Sequence, residues 1–159
     1  MNDRYDITRL ITKDHAGGLY EGEDTLLNRK VSCRRFFGID GECDISKWSD
    51  KFTEYCHKLT AINHPNLALV YDAGIDEDGA FLISQLIKGE RLDKLLVNHP
   101  FSEYEIYSLA NDILDAFATL HSVGDTHGAL SPASIVRTDK TGGRFTHHIT
   151  DQGIADLIP

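Results

Sequence analysis

The sequence predicts an α+β chain. A five-stranded antiparallel sheet with one helix is expected over residues 1–87, and a mainly helical part over residues 88–159. Three observations carry that expectation. Short runs of strand character at Tyr5–Ile11, Leu19–Thr25, Arg29–Phe37, Leu67–Ala73 and Ala80–Leu86 alternate with turn-rich connections. Between the third and fourth runs, Trp48, Phe52, Tyr55, Leu59 and Ile62 recur at helical spacing and form one apolar stripe. After Phe101 a long helical pattern opens on a capping box, Ser102 with Glu105 three residues on.

Composition narrows the function classes. A chain of 159 residues fits one domain by length and can bury a core. The formal net charge of −9 argues against nucleic acid as a partner, because a nucleic-acid binder needs a basic face. The nearest basic group is Arg29, Lys30, Arg34 and Arg35, which reads as solvated strand faces. No apolar run approaches the roughly 18 residues of a membrane span, and the opening MNDRYDITRL has no signal-peptide core. Cys33, Cys43 and Cys56 are odd in number and lack a Cys-x-x-Cys spacing, a pattern that favours reduced thiols and a cytoplasmic location. His147 and His148 are adjacent in a strand pattern, so they point to opposite faces and do not suit one metal.

Local chemistry sets the connections. The stretch TKDHAGG (12–18) joins the first two strands as a hairpin, with Gly17 and Gly18 near its turn. Asp44 or Ser46 can cap the first helix. Asp76-Glu77-Asp78-Gly79 is a hairpin signal between the last two strands. Gly89 and Leu92 lead into a short helix to Val97. In the long helix Ile106, Leu109, Ala110, Ile113, Leu114, Phe117 and Leu120 share a face, and Gly124 stops it.

The run THGALSPASIV (126–136), a short hairpin, and then TDQG (150–153) resembles the catalytic loop and metal-binding turn of protein kinases, the bacterial serine/threonine type in particular. The segment from His64-Pro65-Asn66 to Leu96 matches that family most closely, and the likeness spans essentially the whole chain. Carried over residue by residue, the resemblance implies a nucleotide site at Gly17, Arg34, Gln85 and Ile87, and a magnesium ligand at Asp151. Arg34 stands where the family has its phosphate-pairing lysine. Arginine keeps the charge without the compact ammonium, so a plain strand arginine is an equal alternative. Ser84 lines the back of the nucleotide pocket, and Gln85, Leu86 and Ile87 form a hinge that offers adenine mostly backbone groups. Asp151 could hold one magnesium ion or be a turn aspartate.

Several positions depart from the family pattern. Ala129 replaces the base aspartate, Ser131 the lysine and Ser134 the metal-binding asparagine, while Gln152 replaces the phenylalanine of the turn. Thr12 and Asp14 replace the first two loop glycines, and Tyr55 falls where the helix glutamate belongs. Glu54 is adjacent to it, about 100° away around the helix. The resemblance therefore implies a pseudokinase, not an enzyme, working as a protein-interaction or regulatory scaffold without a cofactor or with weakly held ATP and magnesium. It also implies a truncated helical part, because the sequence stops at Pro159 just after the turn, so that the apolar helix face meets a protein partner or a second copy. An ATP-binding sensor and an active serine/threonine kinase fragment are the alternatives.

Overall fold

The computed structural model describes residues 4–14, 17–36, 49–128 and 130–150. These divide into two compact units, one of the residues up to Ile62 with Leu69–Leu86, the other of Asn63–Ala68 with the residues from Ile87 on.

The first unit is a five-stranded antiparallel sheet in the order β1-β2-β3-β5-β4. Its strands are β1 Tyr5–Asp14, β2 Gly17–Asp24, β3 Arg29–Phe36, β4 Val70–Asp76 and β5 Gly79–Gln85. The helix α1, Ser49–Ala61, lies between β3 and β4 in the chain. One sheet face packs Tyr5, Val31, Cys33, Phe81 and Ile83 together, with Ile7, Tyr20 and Tyr71 at its margin. The other is met by α1, whose Phe52 ring stands edge-on to Phe36 at 6.0 Å between centroids. The expected α1 stripe is corrected by one position, since Cys56 is buried with Phe52 and Leu59 while Tyr55 is half-buried. Trp48 and the capping residues Asp44 and Ser46 lie outside the described residues, as does Cys43.

Cover on both faces overturns the reading of Arg34 and Arg35 as solvated, while Lys30 is exposed and Arg29 half-buried. Every residue of β3 from Val31 to Phe36 is buried, arginines included. Burial of a charge is tolerated only with a partner. Arg35 has one, donating through Nη1 and Nη2 to the two carboxylate oxygens of Asp76 at 2.6 and 2.9 Å. Arg29 donates to Asp24 at 3.3 Å and lies 3.6 Å over the Tyr71 ring, and Lys30 pairs with Glu23 at 2.9 Å. Asp24 is fully buried and also grips Arg4 with both oxygens, at 3.0 and 2.8 Å. That hydrogen-bonded guanidinium, working against burial, holds the Asp24 carboxyl at about 2.

The turn between β4 and β5 follows the expected Asp-Glu-Asp-Gly signal. Asp76 pairs with Gly79, the Asp76 carboxylate accepts from the Asp78 N–H at 3.1 Å, and Gly79 takes φ +116°. A Cβ on Gly79 would stand 2.7 Å from the Phe36 carbonyl, so glycine is required twice over. The predicted strand at Leu67–Ala73 starts later, at Val70, because residues 66–68 are engaged elsewhere.

The second unit holds a three-stranded sheet of β6 Glu90–Arg91, β7 Ile135–Lys140 and β8 Arg144–Ile149. Its helices are α2 Leu92–Asn98 and α3 Glu103–Ser122, with a 3-10 turn at Pro132–Ser134. The capping box forms as expected. Ser102 Oγ accepts from the Glu105 N–H, and Glu105 Oε2 accepts from the Ser102 N–H at 2.9 Å. Hydrogen bonds from the Ser102 N–H first, then from His99 and the Ser102 hydroxyl, hold the Glu105 carboxyl at about 2. The buried stripe of α3 is Ile113, Ala116 and Leu120, packed on β8; Ile106 and Leu114, expected inside, are 55% and 65% exposed. Among the described residues no helix is long and apolar enough to cross a membrane.

The Arg35–Asp76 pair generates a pH expectation. Burial alone would raise the Asp76 carboxyl, but the Arg35 guanidinium overcomes it and brings the carboxyl to about 2. A depressed folded value means that the contribution is complete above the ordinary carboxylate range, near pH 4, and is lost as pH falls from there through about 2. Asp76→Asn should flatten that acid limb in denaturant titrations. It should also cost about 3 kcal/mol at neutral pH, the low end for leaving a buried charge without its counter-ion. An unchanged acid limb would assign it to other carboxylates.

Candidate functional site

In the first unit, Gly17 opens β2 with φ +145°, opposite Phe36 of β3. A Cβ there would run into the Arg35 carbonyl, so this glycine is required by the close approach of β2 to β3. Thr12 and Asp14, at the other glycine positions, lie within β1. Arg34 is buried between Leu19 of β2 and Leu82 of β5 in register, on the same side of β3 as Phe36, and its guanidinium stands 5.7 Å from that ring. Glu54 on α1 forms its ion pair with Lys58 one turn on, at 3.0 Å. Gln85 ends β5. Its N–H donates to the Leu69 carbonyl at 2.8 Å, and its side-chain oxygen accepts from the Leu69 N–H at 3.5 Å. Leu86 closes this unit and Ile87 opens the next. The Val31–Gln85 register uses the Leu86 N–H in the ladder to β3, whereas among the described residues Ile87 and Lys88 make no backbone hydrogen bond, so their N–H and C=O groups are open to a ligand edge.

In the second unit, the loop after α3 is tied down by local hydrogen bonds. The Asp125 N–H donates to the Leu120 carbonyl, and Asp125 Oδ1 accepts from the Thr126 N–H at 2.9 Å. His127 is buried, with its ring centroid 6.3 Å from that of Phe117. Ser134 is buried, and its hydroxyl is spent on the turn, accepting from the Ser131 N–H at 3.1 Å and donating to the Ser131 carbonyl at 2.9 Å. That closed ring leaves Ser134 Oγ as a turn lock rather than a ready metal ligand. Ser131 is exposed and contributes backbone to the same turn. Ala129, Asp151 and Gln152 lie outside the described residues.

Antiparallel pairing of β7 with β8 brings the two motif segments together. Ile135 stands opposite Ile149, and one step beyond the ladder the Thr150 N–H donates to the Ser134 carbonyl at 2.9 Å. The residue before the Asp-Gln-Gly sequence is thus tied to the residue at the asparagine position.

What holds β8 in place was not read from the sequence. His147 is fully buried, and a single carboxylate oxygen of Asp112 on α3 accepts both its backbone N–H, at 2.8 Å, and its ring Nδ1–H, at 2.9 Å. The Asn66 amide donates to the His147 carbonyl at 2.8 Å, and the Asn66 carbonyl accepts from the Ile149 N–H at 2.8 Å. His64 completes the anchor. Its Nδ1 accepts from the Asn66 N–H, so Nε2 carries the proton and meets Asp115 at 3.2 Å. The available signal was an aspartate, Asp112, beside the apolar stripe of an amphipathic helix, where a charge needs a buried partner. His148 turns the other way, to the Thr138 hydroxyl at 3.1 Å, and burial lowers its pKa. Among the described residues no group of three or more His, Cys, Asp or Glu side chains is placed to hold a metal ion.

No protein-family model matches the chain. It is similar to the probable serine/threonine-protein kinase PknB of Lactococcus lactis, 27% identical over 157 residues that cover 98% of this chain and 24% of that protein. The serine/threonine-protein kinase PrkC of Bacillus subtilis is 26% identical over 162 residues, 99% of this chain and 24% of that protein. The chain thus spans about a quarter of the length of these relatives. Among solved structures, the PknI kinase domain of Mycobacterium tuberculosis superposes with a TM-score of 0.82 at 15% identity, over 96% of this chain and 61% of that one. Rad53 1-466 in complex with AMP-PNP gives 0.79 at 16% identity, over 95% of this chain and 38% of that one. The expectation that the replaced positions make the chain no enzyme is overturned here, since its sequence relatives are serine/threonine-protein kinases, which points to an enzyme.

The Asp112 clamp is directly testable. Asp112→Ala leaves two donors of His147 without their acceptor in a buried place, a loss of roughly 3 kcal/mol by chemical denaturation. Asp112→Asn, which keeps an acceptor oxygen, should recover part of it, and equal losses for the two variants would refute the double-acceptor role.

Proposed function

Because this chain belongs to the protein kinase-like superfamily, we propose that it binds ATP with magnesium and serves serine/threonine-directed phosphoryl transfer. The observation that carries the nucleotide part is the open backbone of Ile87 and Lys88 just beyond β5. A purine edge needs one acceptor and one donor in line, and a strand end that has left its ladder offers both. Arg34 supplies the cation for the phosphates, and the chain at Gly17 approaches them through backbone N–H groups. Asp151 would hold the magnesium ion, while the Ser134 hydroxyl, spent on its own turn, would not join it. Bound magnesium neutralises charge on the phosphate oxygens.

Ala129 does not argue against transfer by itself. Phosphoryl transfer passes through a loose transition state, so positioning and electrostatics carry most of the catalysis and a base adds a further factor. That factor is about 10² to 10⁴ for a positioned general base. The chain's own residues then orient the nucleotide and offset its charge, and the acceptor hydroxyl gives its proton to solvent. The reading applies to the part of a kinase that this chain matches; the acceptor substrate is left to the remainder of such a protein or to a partner.

A regulatory or protein-interaction role is a second reading, favoured by the exposed Tyr104, Ile106, Tyr107 and Leu114 of α3. Light scattering across concentrations separates self-association from a monomer awaiting a different protein.

The tests are a melt and a transfer assay. ATP with magnesium at a hundred times its dissociation constant should add about 2.7 kcal/mol. Arg34→Met should reduce that increment, and Asp151→Asn should remove its magnesium dependence. Labelled phosphate from ATP should enter a generic acceptor slowly, and Ala129→Asp should speed incorporation by about 10² or more. No stabilisation by ATP at millimolar concentration would sink the nucleotide assignment. Binding without incorporation in either the parent or Ala129→Asp would restrict the chain to nucleotide sensing.

A further inference from the structure

The segment 63–68 is held in the second unit through a histidine whose two nitrogens do different work. The His64 ring turns back along the chain, and its bare Nδ1 accepts from the Asn66 N–H at 3.2 Å. Asn66 is 6% exposed, so that N–H depends on the acceptor it has. Held this way, Asn66 reaches β8 twice. Its carbonyl accepts from the Ile149 N–H at 2.8 Å, and its side-chain amide donates to the His147 carbonyl at 2.8 Å. Leu67 bridges Ile149, and the Ala68 N–H donates to the Ile149 carbonyl at 2.8 Å. Thr150 then leads into the sequence Asp-Gln-Gly. One ring nitrogen thus underlies the bonds that fix the end of β8.

We infer that His64 is an acid-operated latch on the end of β8, closed while Nδ1 is bare and opened when a proton binds there. The imidazolium donates through both nitrogens, so no rotation of the ring gives the Asn66 N–H an acceptor. Two donors would then face each other. The opposing attraction comes from Asp115 on α3, whose carboxylate lies 3.2 Å from Nε2. Its side chain is 73% exposed, and an ion pair open to water holds weakly. Loss of the acceptor for a buried N–H outweighs it. The released segment takes the proton without that loss, so acid favours release. Neighbouring charges do not supply the missing acceptor. Asp112 on α3 is engaged by His147, and Arg137 on β7, opposite His147, is engaged by Glu105 at 3.1 Å. His148 on β8 bonds to the Thr138 hydroxyl. His147 itself does not switch, because its Nδ1–H donates to Asp112 whether or not Nε2 is protonated.

The experiment follows amide hydrogen exchange by NMR on the full chain, expressed as protection factors, from about pH 7.5 to about pH 5.5. That span crosses the ordinary histidine range. Protection at the Asn66 and Ile149 amides should fall about tenfold across it, roughly the worth of one hydrogen bond. Amides in the ladder between β1 and β2 should keep theirs. His64→Asn retains an oxygen that accepts from the N–H two residues on and does not titrate. It should keep the protection seen at neutral pH and lose the pH dependence. His64→Ala should lose the protection at both ends of the range, and it carries the test if the asparagine variant fails to fold. Nitrogen shifts of the His64 ring should place its proton on Nε2 at neutral pH. A flat profile in the parent, a His64→Asn profile that falls like the parent's, full protection in His64→Ala at neutral pH, or a neutral ring protonated on Nδ1 would each overturn the latch.

Discussion

The carboxylate of Asp112 holds the second unit in register. By accepting from both the ring and the backbone of His147, it fixes β8 against α3 in depth and in direction. The Asn66 segment then pairs along the same strand, and β7 follows through the ladder. One oxygen accepting two buried donors has little freedom to move. A slip of one residue in β8 would turn His147 outward and bring a different side chain to Asp112. The contact between Ser134 and Thr150, and hence the relation between the two motif segments, depends on that register.

In the first unit the governing constraint is cover on both faces of β3. A strand buried on both sides is normally apolar, yet β3 carries arginines at 34 and 35. Arg35 is tolerated through a two-point bond to Asp76, and Asp76 in turn shapes the tight turn to β5. The same carboxylate therefore answers a charge and closes a hairpin. Arg34 lies on the other side of the strand, with Phe36 and the face that α1 meets. A cation in that position draws anionic groups, which is the electrostatic basis for the nucleotide reading.

The segment that resembles a kinase catalytic loop keeps a defined turn among its described residues. Ser134 illustrates the point, because a shorter side chain at the asparagine position folds back and completes a turn with Ser131. Chemistry that relies on positioning survives such exchanges better than chemistry that relies on a single proton acceptor.

Much of the architecture was legible in the residues alone. The strand order in sequence, the capping box at Ser102 and the Asp76–Gly79 turn rest on neighbours within a few positions, and local physics decides them. The sequence also placed Arg34 in the third strand, since that follows from order and spacing. It did not reveal which side of α3 is buried: Ile106 and Leu114 fit the apolar period yet are exposed, because what α3 meets is β8 along Ile113, Ala116 and Leu120. The burial of Arg35, the departure of Leu67 from β4 to bridge Ile149, and the Asp112–His147 bond all join residues more than thirty positions apart. Spacing along a chain sets which faces exist. Only the folded chain decides which of them meet, because the partner of a buried charge or an open strand edge is chosen by three-dimensional proximity rather than by order.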